Sequence, residues 1–252
     1  MTLSFGALLA LFGVAFAAGV VDAIAGGGGL LTLPTLLTAG LPPQLVIGTN
    51  KGSAVFGSGA ALLRFVRAGL VDWRRVWPLF FVGALGSLGG ATLLLALDPT
   101  ILKPLVLVLL VLAGTVVAFV RPRPSVEALP GRRLKVAALA LVVGAYDGFF
   151  GPGTGTFLII GFVTLLPLSL SQASANAKVV NVGSNVAAVA LFASRGVIRW
   201  DVALPMAVAQ FLGGTVGAHL AVRGGDTLVR RVVLVVVLAL VLRLAVDLWV
   251  SG

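Results

Sequence analysis

The stretch DAIAGGGGLLTLP, residues 22–34, places a carboxylate and four consecutive glycines in a run that otherwise has the composition of a membrane helix. Glycine destabilises a helix interior by about 1 kcal/mol per residue relative to alanine, so the backbone is predicted to leave the helical state here. At membrane depth, such backbone is tolerated only where it is buried in protein or lines a wet cavity. The break is therefore predicted to face the interior of the molecule.

The composition of the whole chain predicts an all-α polytopic membrane protein. Of its 252 residues, 59% are hydrophobic and 10% are charged, and the mean hydropathy is +1.14. A helix that crosses a bilayer needs about 20 predominantly apolar residues. The apolar runs are 3–21, 29–41, 45–66, 76–97, 101–120, 134–150, 154–168, 175–194, 202–222 and 228–250.

Several kinds of site are excluded by residue types that are absent or scarce. The chain has no cysteine, which excludes disulfides, thiolate catalysis and cysteine-ligated metals. One histidine and one glutamate leave little for other metal sites, so we predict no metal and no cofactor. The net charge of +10 does not indicate a nucleic-acid partner, because most arginines lie in short connections between apolar runs, where they act as topology signals.

The chain divides into two similar halves, residues 1–120 and 136–252, joined by a charged, proline-containing linker at 121–135. When the second half is aligned with the first, the aspartate and the first glycine of the breaks match at a separation of 125 residues (147 − 22 = 125). The later residues match at a separation of 127 residues (178 − 51 = 127). The matches are Asp22 with Asp147, Gly26 with Gly151, Lys51 with Lys178, Gly69 with Gly196, Trp73 with Trp200, Pro78 with Pro205, Gly86 with Gly213 and Gly90 with Gly217. Only four lysines occur in the chain, so a matched pair of them within apolar runs indicates duplication.

Positive charge predicts how the halves are oriented. The connections 64–75, 121–135 and 223–231 hold most of it and are predicted to be cytoplasmic, with both termini outside. Each half then crosses the membrane an odd number of times, as a glycine-broken helical hairpin plus about three full transmembrane helices. That arrangement makes the halves inverted repeats, the plan of many secondary transporters. A parallel repeat is the competing interpretation, because Arg195 and Arg199 lie on the predicted outside.

The second half has a break of its own, DGFFGPGTGTF at residues 147–157. A half-helix that begins just after each break, near Leu30 and Thr156, would point unsatisfied amides and the positive end of its dipole at the gap. Anions suit that position. The alternative is that these glycines only allow helices to approach closely, as small residues do throughout membrane bundles.

Lys51 and Lys178 lie within apolar runs, where a lysine normally faces a cavity or a partner. Lys178, Asn181 and Asn185 are spaced three and four residues apart, so they project from one face of a helix toward the bundle interior. Gln210, alone in its apolar run, is predicted to form an interhelical hydrogen bond and not to contact a ligand.

We predict ion pairs within each half, Asp22 with Lys51 and Asp147 with Lys178, and both aspartates are candidates for proton coupling. A purely structural role for these pairs is the alternative. A second alternative is an intramembrane aspartyl protease, with the aspartates as an acid–base dyad. It is disfavoured because AGVV, and not Gly-x-Gly, precedes Asp22, and because a companion lysine favours an ionised carboxylate. The chain is predicted not to be an enzyme.

At these residues the chain resembles the TauE/SafE family of membrane proteins, also called the toluenesulfonate uptake permease family. The resemblance covers essentially the whole chain. It rests on the stretches GVVDAIAGGGGLLTLPTLL, GTNKGSAVFGSGAALLRFVRAGLVDWR, GAYDGFFGPGTGTFLII and SANAKVVNVGSNVAAVALFASRGVIRWD. It implies a secondary transporter of small anions, often sulfur-containing, such as sulfite and sulfonates.

The family's paired motifs carry over to both halves of this sequence. These motifs, together with the polar helix face of Lys178, Asn181 and Asn185, give the candidate substrate-binding residues. They are Gly26, Gly27, Gly28, Gly29, Asn50, Lys51, Gly151, Gly153, Thr154, Gly155, Asn176, Lys178, Asn181 and Asn185. Asp22 and Asp147 are the candidate ion-pair or proton-coupling residues. Pro152 and Thr154 depart from the glycine pattern and predict a more rigid second break.

The residues and the resemblance together predict a transporter that moves a small anion across the cytoplasmic (inner) membrane by alternating access, with proton coupling as one option. An anion channel is the alternative. The identity of the anion, the direction of transport, the coupling ion and the formation of a homodimer are left open at this point. The predicted partners are the small anion and the lipid bilayer.

Overall fold

The structure, a computed structural model, describes residues 5–98, 100–102, 104–106, 108–109, 112 and 131–251. These residues form helices and no strand. The helices are α1 (Phe5–Ala25), α2 (Gly29–Thr38), α3 (Pro43–Arg67), α4 (Trp73–Ala96), α5 (Arg132–Phe149), α6 (Thr154–Leu165), α7 (Leu170–Ser194) and α8 (Trp200–Ser251), the last interrupted at Gly225. Much of the apolar run 101–120 and residues 121–130 of the linker lie outside the described residues.

Helix ends follow from local sequence. Pro43 begins α3, at a position where the missing N–H of proline costs nothing. Ser169 precedes α7 and forms a capping box with Gln172, in which each side chain bonds the backbone N–H of the other. Helices α3 and α7 are each followed by a glycine with positive φ, Gly69 and Gly196, whose N–H bonds a carbonyl of the last turn. The two halves thus end equivalent helices in the same way.

The predicted breaks are present. Helix α1 stops at Ala25 and α2 starts at Gly29, while α5 stops at Phe149 and α6 starts at Thr154, so the half-helices begin one and two residues before the predicted starts. With 10 and 12 residues, α2 and α6 are too short to cross a bilayer. They therefore return inside the protein, as parts of helical hairpins.

The two breaks touch each other at the centre of the molecule. Gly26 has a φ of 80°, and a Cβ there would overlap the backbone of Gly155. The Thr156 hydroxyl donates to the Ala25 carbonyl at 2.7 Å, and Gly29 lies against Pro152. Only glycine combines this backbone conformation with so close an approach, so the glycines of each half make room for the other half.

The helices of one half pack along helices of the other. In α1, Gly19 lies against the backbone of Gln210 and Gly214 in α8. Later residues of α1 contact later residues of α8, so these two helices are parallel. Gly86 and Gly90 of α4 likewise lie against α5 backbone. Because glycines remove side chains at these contacts, the helix backbones approach closely, which is a common way for helices to associate in membranes.

Helices α3 and α7, which occupy equivalent places in the two halves, run in opposite directions. Lys51 of α3 contacts Asn185 of α7, while Ser58, further along α3, contacts Asn181, which comes earlier in α7. Helices α3 and α7 are therefore antiparallel. The parallel packing of α4 on α5 also brings the start of α4, which follows the basic connection 64–75, to the same face as the start of α5.

Two apolar clusters hold the half-helices in position. One gathers Leu33 and Leu36 of α2 with Ile47, Phe150 and Phe192. In the other, α6 contributes its own apolar side chains, among them Leu158 and Phe162, which pack against α4, α5 and α7. Each half-helix is thus buried by residues from both halves of the chain.

Four of the described helices contain stretches long and apolar enough to cross a membrane. These stretches are Leu8–Ala25, Trp73–Ala96, Leu170–Ser194 and Trp200–Val232. Helix α3 has a comparable length, 25 residues, but carries several polar residues. The predicted all-α polytopic fold is confirmed, and the inverted relation of the halves stays a prediction.

Arg67→Cys and Ser194→Cys test that relation. They occupy equivalent, exposed positions at the ends of α3 and α7, and the chain has no other cysteine. We expect a membrane-impermeant maleimide to label Ser194→Cys in intact cells and Arg67→Cys only after the membrane is opened. Labelling of both from the same side would instead indicate parallel repeats.

Candidate functional site

A small cavity lies where the two broken hairpins meet α3, α7 and α8. Its volume is about 30 Å³, enough for one or two water molecules. Its lining residues are Asp22, Gly26, Gly28, Gly29, Asn50, Lys51, Ala54, Ser58, Asp147, Gly151, Thr154, Asn181, Asn185 and Gln210. All but Ala54, Ser58 and Gln210 are residues that the sequence assigned to the site, and they come from both halves.

Two ion pairs cross between the halves beside this cavity. Lys51 Nζ lies 2.6 Å from Asp147 Oδ1, and Lys178 Nζ lies 2.7 Å from Asp22 Oδ2. The predicted pairing within each half, Asp22 with Lys51 and Asp147 with Lys178, is therefore wrong. Each lysine is neutralised by an aspartate from the opposite repeat.

The antiparallel packing of α3 and α7 explains the exchange. Asp22 lies level with Ser58, whose hydroxyl is 3.4 Å from Asp22 Oδ2. Ser58 follows Lys51 by two helical turns, about 10 Å along α3. The same end of α3 contacts the part of α7 that carries Lys178, so Lys178 is the lysine within reach of Asp22.

The Lys51–Asp147 pair is enclosed and held from several sides. Both side chains are 2% exposed. Lys51 Nζ also donates to Asn185 Oδ1 at 2.9 Å, and the Ser184 hydroxyl donates to Asp147 Oδ2. Additional hydrogen bonds of this kind are what make a buried ion pair tolerable in a low-dielectric interior.

The Lys178–Asp22 pair is held less firmly. Lys178 is 2% exposed but Asp22 is 21% exposed. Besides Lys178, the donor within reach of Asp22 among the described residues is Ser58, at a long 3.4 Å. The two pairs therefore have equivalent partners but different surroundings.

Amide and hydroxyl groups connect the pairs across the cavity. Ser58 donates to Asn181 Oδ1 at 2.8 Å, and Asn185 Nδ2 lies 3.4 Å from both Ser58 Oγ and Asn181 Oδ1. Gln210 donates to Ser53 Oγ at 3.0 Å, the interhelical bond that the sequence predicted, but it also lines the cavity. A lone glutamine carries no periodic signal, so its place at the site could not be predicted.

The half-helix N-termini carry no side-chain cap. Gly28 precedes α2 and Gly153 precedes α6, and neither residue has a side chain that could bond the first amides. Thr32 Oγ1 instead bonds Asn50 Oδ1 at 2.6 Å, which links α2 to α3. Tyr146 donates its hydroxyl to the Pro152 carbonyl at 2.6 Å and so supports the second break. Because Gly28, Gly29 and Thr154 line the central cavity, the positive ends of both half-helices lie at the centre.

Five predicted site residues do not line the cavity: Gly27, Gly153, Gly155, Asn176 and Lys178. Gly155 packs against the other break. Asn176 is buried, and its Oδ1 accepts from the backbone N–H of Asp72, just before α4. At the equivalent position, Thr49 Oγ1 accepts from the N–H of Arg199, just before α8. Asn176 and Thr49 thus bind helix N-termini of the opposite half.

A larger cavity of about 710 Å³ lies between the first turns of α4 and α5. Four arginines line it, Arg74, Arg75, Arg132 and Arg133, together with apolar residues and with Asp72, which pairs with Arg75 at 3.4 Å, so the lining has an excess of positive charge. Positive side chains gathered in a recess raise the local concentration of anions. Among the described residues, no group of three histidines or carboxylates could hold a metal ion.

Comparisons with known proteins agree with this architecture. The family model described as sulfite exporter TauE/SafE matches residues 11–244. The probable membrane transporter protein ORF9 of Sinorhizobium sp is 39% identical over 97% of this chain and 95% of its own length. A probable membrane transporter protein of Haemophilus influenzae is 38% identical over 98% of both chains. The probable membrane transporter protein YfcA of Escherichia coli K12 is 36% identical over 94% of this chain and 89% of its own.

The crossed pairing predicts the outcome of a double-mutant cycle. Lys51→Ala alone leaves Asp147 buried without its partner, at a cost of about 3–5 kcal/mol, and adding Asp147→Ala is expected to recover much of that loss. Adding Asp22→Ala to Lys51→Ala is expected to lower stability further. The measurement is the thermal unfolding midpoint of each purified variant in detergent. Recovery by Asp22→Ala and not by Asp147→Ala would contradict the crossed arrangement.

Proposed function

The chain belongs to the sulfite exporter TauE/SafE family, and from that premise we propose that it is a secondary transporter of small anions. It is a multi-pass membrane protein, and its relatives are named as transporters and not as enzymes. We place it in the cytoplasmic membrane, with the basic connections 64–75 and 121–135 inside and the termini outside, on the basis of the distribution of arginine and lysine.

The observation that carries this proposal is the composition of the central cavity. Buried Lys51 lines it, buried Lys178 lies beside it through its ion pair with Asp22, and two half-helix N-termini without side-chain caps begin at it. Charges buried within a membrane protein are expensive and are by default candidates for function. Lysine ammonium groups and the positive ends of helix dipoles both favour an anion.

The size of the cavity implies that this conformation is closed. A space of about 30 Å³ has no room for an anion of several heavy atoms. An anion can enter only if the ion pairs and the half-helices move apart. Alternating access fits this requirement, since movement of one half against the other would open the cavity toward each face in turn. The antiparallel course of α3 and α7 supports inverted repeats as the basis of that movement.

The proposed substrates are sulfite, sulfonates and related organosulfur anions. The family description supports sulfite. The cavity offers the hydroxyl of Ser58 and the amides of Asn181, Asn185 and Gln210, which can donate to sulfur-bound oxygens. The arginine-lined cavity at the start of α4 and α5 would concentrate such anions at the face that we assign to the cytoplasm.

Coupling to protons is part of the proposal. An anion that binds a lysine competes with the aspartate that neutralises it. A carboxylate that loses its cation in a low-dielectric interior is stabilised by taking up a proton. Anion binding and protonation of an aspartate would therefore favour each other.

The test is uptake of labelled sulfite into proteoliposomes, with and without an imposed proton gradient. Wild type is expected to show saturable uptake. The uptake rate of folded Lys178→Ala is expected to be at least tenfold lower, because the anion loses a charge partner. Lys135→Ala, which removes an exposed lysine about 18 Å along α5 from Asp147, is the matched control and should retain uptake. Flux without saturation would indicate a channel, and undiminished uptake by Lys178→Ala would contradict the proposed site.

A further inference from the structure

We propose that the two ion pairs have different tasks: Lys178 and Asp22 separate to admit the anion and one proton, whereas Lys51 and Asp147 stay joined. This inference rests on the proposed function, because it assigns parts of the same cycle to particular residues. It names Lys178 as the anion-binding lysine and Asp22 as the carboxylate that carries the proton.

The first support is a difference between equivalent positions of the two halves. Ser184 donates a hydrogen bond to Asp147, but the residue that matches Ser184 in the first half is Gly57, which has no hydroxyl. Asn185 accepts from Lys51, whereas its match, Ser58, shares its one O–H between Asn181 at 2.8 Å and Asp22 at 3.4 Å and has no hydrogen bond to Lys178. Both differences leave the Lys178–Asp22 pair with fewer supporting contacts.

The second support is the number of acceptors around each ammonium. A lysine has three N–H donors. Within the described part of the chain, Lys51 has two acceptors, Asp147 and Asn185, and Lys178 has one, Asp22. A buried ammonium with spare donors gains more from an incoming oxyanion than one that is already shared between two acceptors.

The third support is access. Asp22 lines the central cavity and is 21% exposed, compared with 2% for Asp147. A proton carried by water can therefore reach Asp22 with less rearrangement. Its carboxylate can also turn away from Lys178 into the cavity, which frees the ammonium for the anion.

The charged surroundings of Asp22 are simple. Helix α7 presents Lys178, α3 presents Lys51 more distantly, and Asp147 shares the cavity. Helices α2 and α6 contain no titratable side chain. Helix α8 carries His219 less than one turn beyond the residue that contacts both Val20 and Ala23 of α1. Its Nδ1 is held by Arg64, whose Nη2 lies 3.1 Å away. Among the described residues, Lys178 is thus the cation in contact with Asp22, and its capture by an anion leaves the Asp22 carboxylate without one.

Charge balance then sets the stoichiometry. The closed site holds two ammonium and two carboxylate groups and is neutral. When a monovalent anion takes the place of Asp22 on Lys178, one new O–H bond on the Asp22 carboxyl group, with a proton from the aqueous phase, restores neutrality. One monovalent anion therefore travels with one proton and no net charge, whereas a divalent anion carries one net negative charge.

The test compares Asp22→Asn with wild type in proteoliposomes, in two assays. The first measures exchange of labelled for unlabelled sulfite, and the second measures sulfite accumulation driven by a proton gradient. A gradient of one pH unit is expected to raise accumulation by wild type up to about tenfold. Asp22→Asn mimics the protonated carboxyl, so it is expected to keep exchange and lose the gradient-driven increase. Asp147→Asn is expected to lose both, because Lys51 becomes unpaired. Asp201→Asn, which removes an exposed carboxylate, is the control and keeps both.

Gradient-driven accumulation by Asp22→Asn at the wild-type level would overturn the inference, as would loss of exchange by a folded Asp22→Asn. Absence of both activities in wild type would instead overturn the proposed function. If Asp22→Asn does not fold, Ser58→Ala replaces it. Removal of a donor to Asp22 is expected to move the pH of half-maximal uptake upward, and by more than Ser184→Ala does. Equal or reversed shifts would contradict the division of tasks.

Discussion

The structure depends on two lysines that are neutralised inside the membrane by aspartates from the opposite half. Lys51 with Asp147 and Lys178 with Asp22 tie α3 and α7 to the broken helices α5 and α1. Removal of one partner strands a charge where water cannot solvate it, so the pairs make each half depend on the other. In the proposed function the same four groups have a second task, the lysines as the positive charge for an anion and the aspartates as the carboxylates that compete with it.

The glycine breaks make this arrangement sterically feasible. Gly26 and Gly155 bring the two breaks into backbone contact, and glycines in α4 and α8 remove side chains where α5 and α1 pack. Because the hairpins meet backbone to backbone, the half-helix amides and the ion pairs share one small central space. Packing, charge neutralisation and the proposed anion binding therefore concern the same residues.

Most of the residues that line the candidate site could be predicted from the sequence, because their signals are local. Consecutive glycines beside an aspartate mark a break, and a lysine in an apolar run marks a buried charge. The ion-pair partners were not predictable in this way, since they depend on the antiparallel contact between α3 and α7. Asn176 belongs to the same motif as Lys178 but holds the start of α4. Gln210 enters the cavity through packing of α8 on α3, for which its own neighbours in sequence give no indication.

The account centres on one claim, that the cavity between the crossed pairs lies on the path of the anion. Ala54 lines that cavity, and the chain has no native cysteine, so Ala54→Cys offers a single thiol there. The decisive measurement is the rate at which a small, membrane-impermeant methanethiosulfonate labels Ala54→Cys from each side of the membrane, with and without sulfite. The account predicts labelling from both faces in turn and slower labelling when sulfite is present. Labelling from one face only, or a rate that sulfite does not change while transport continues, would contradict it.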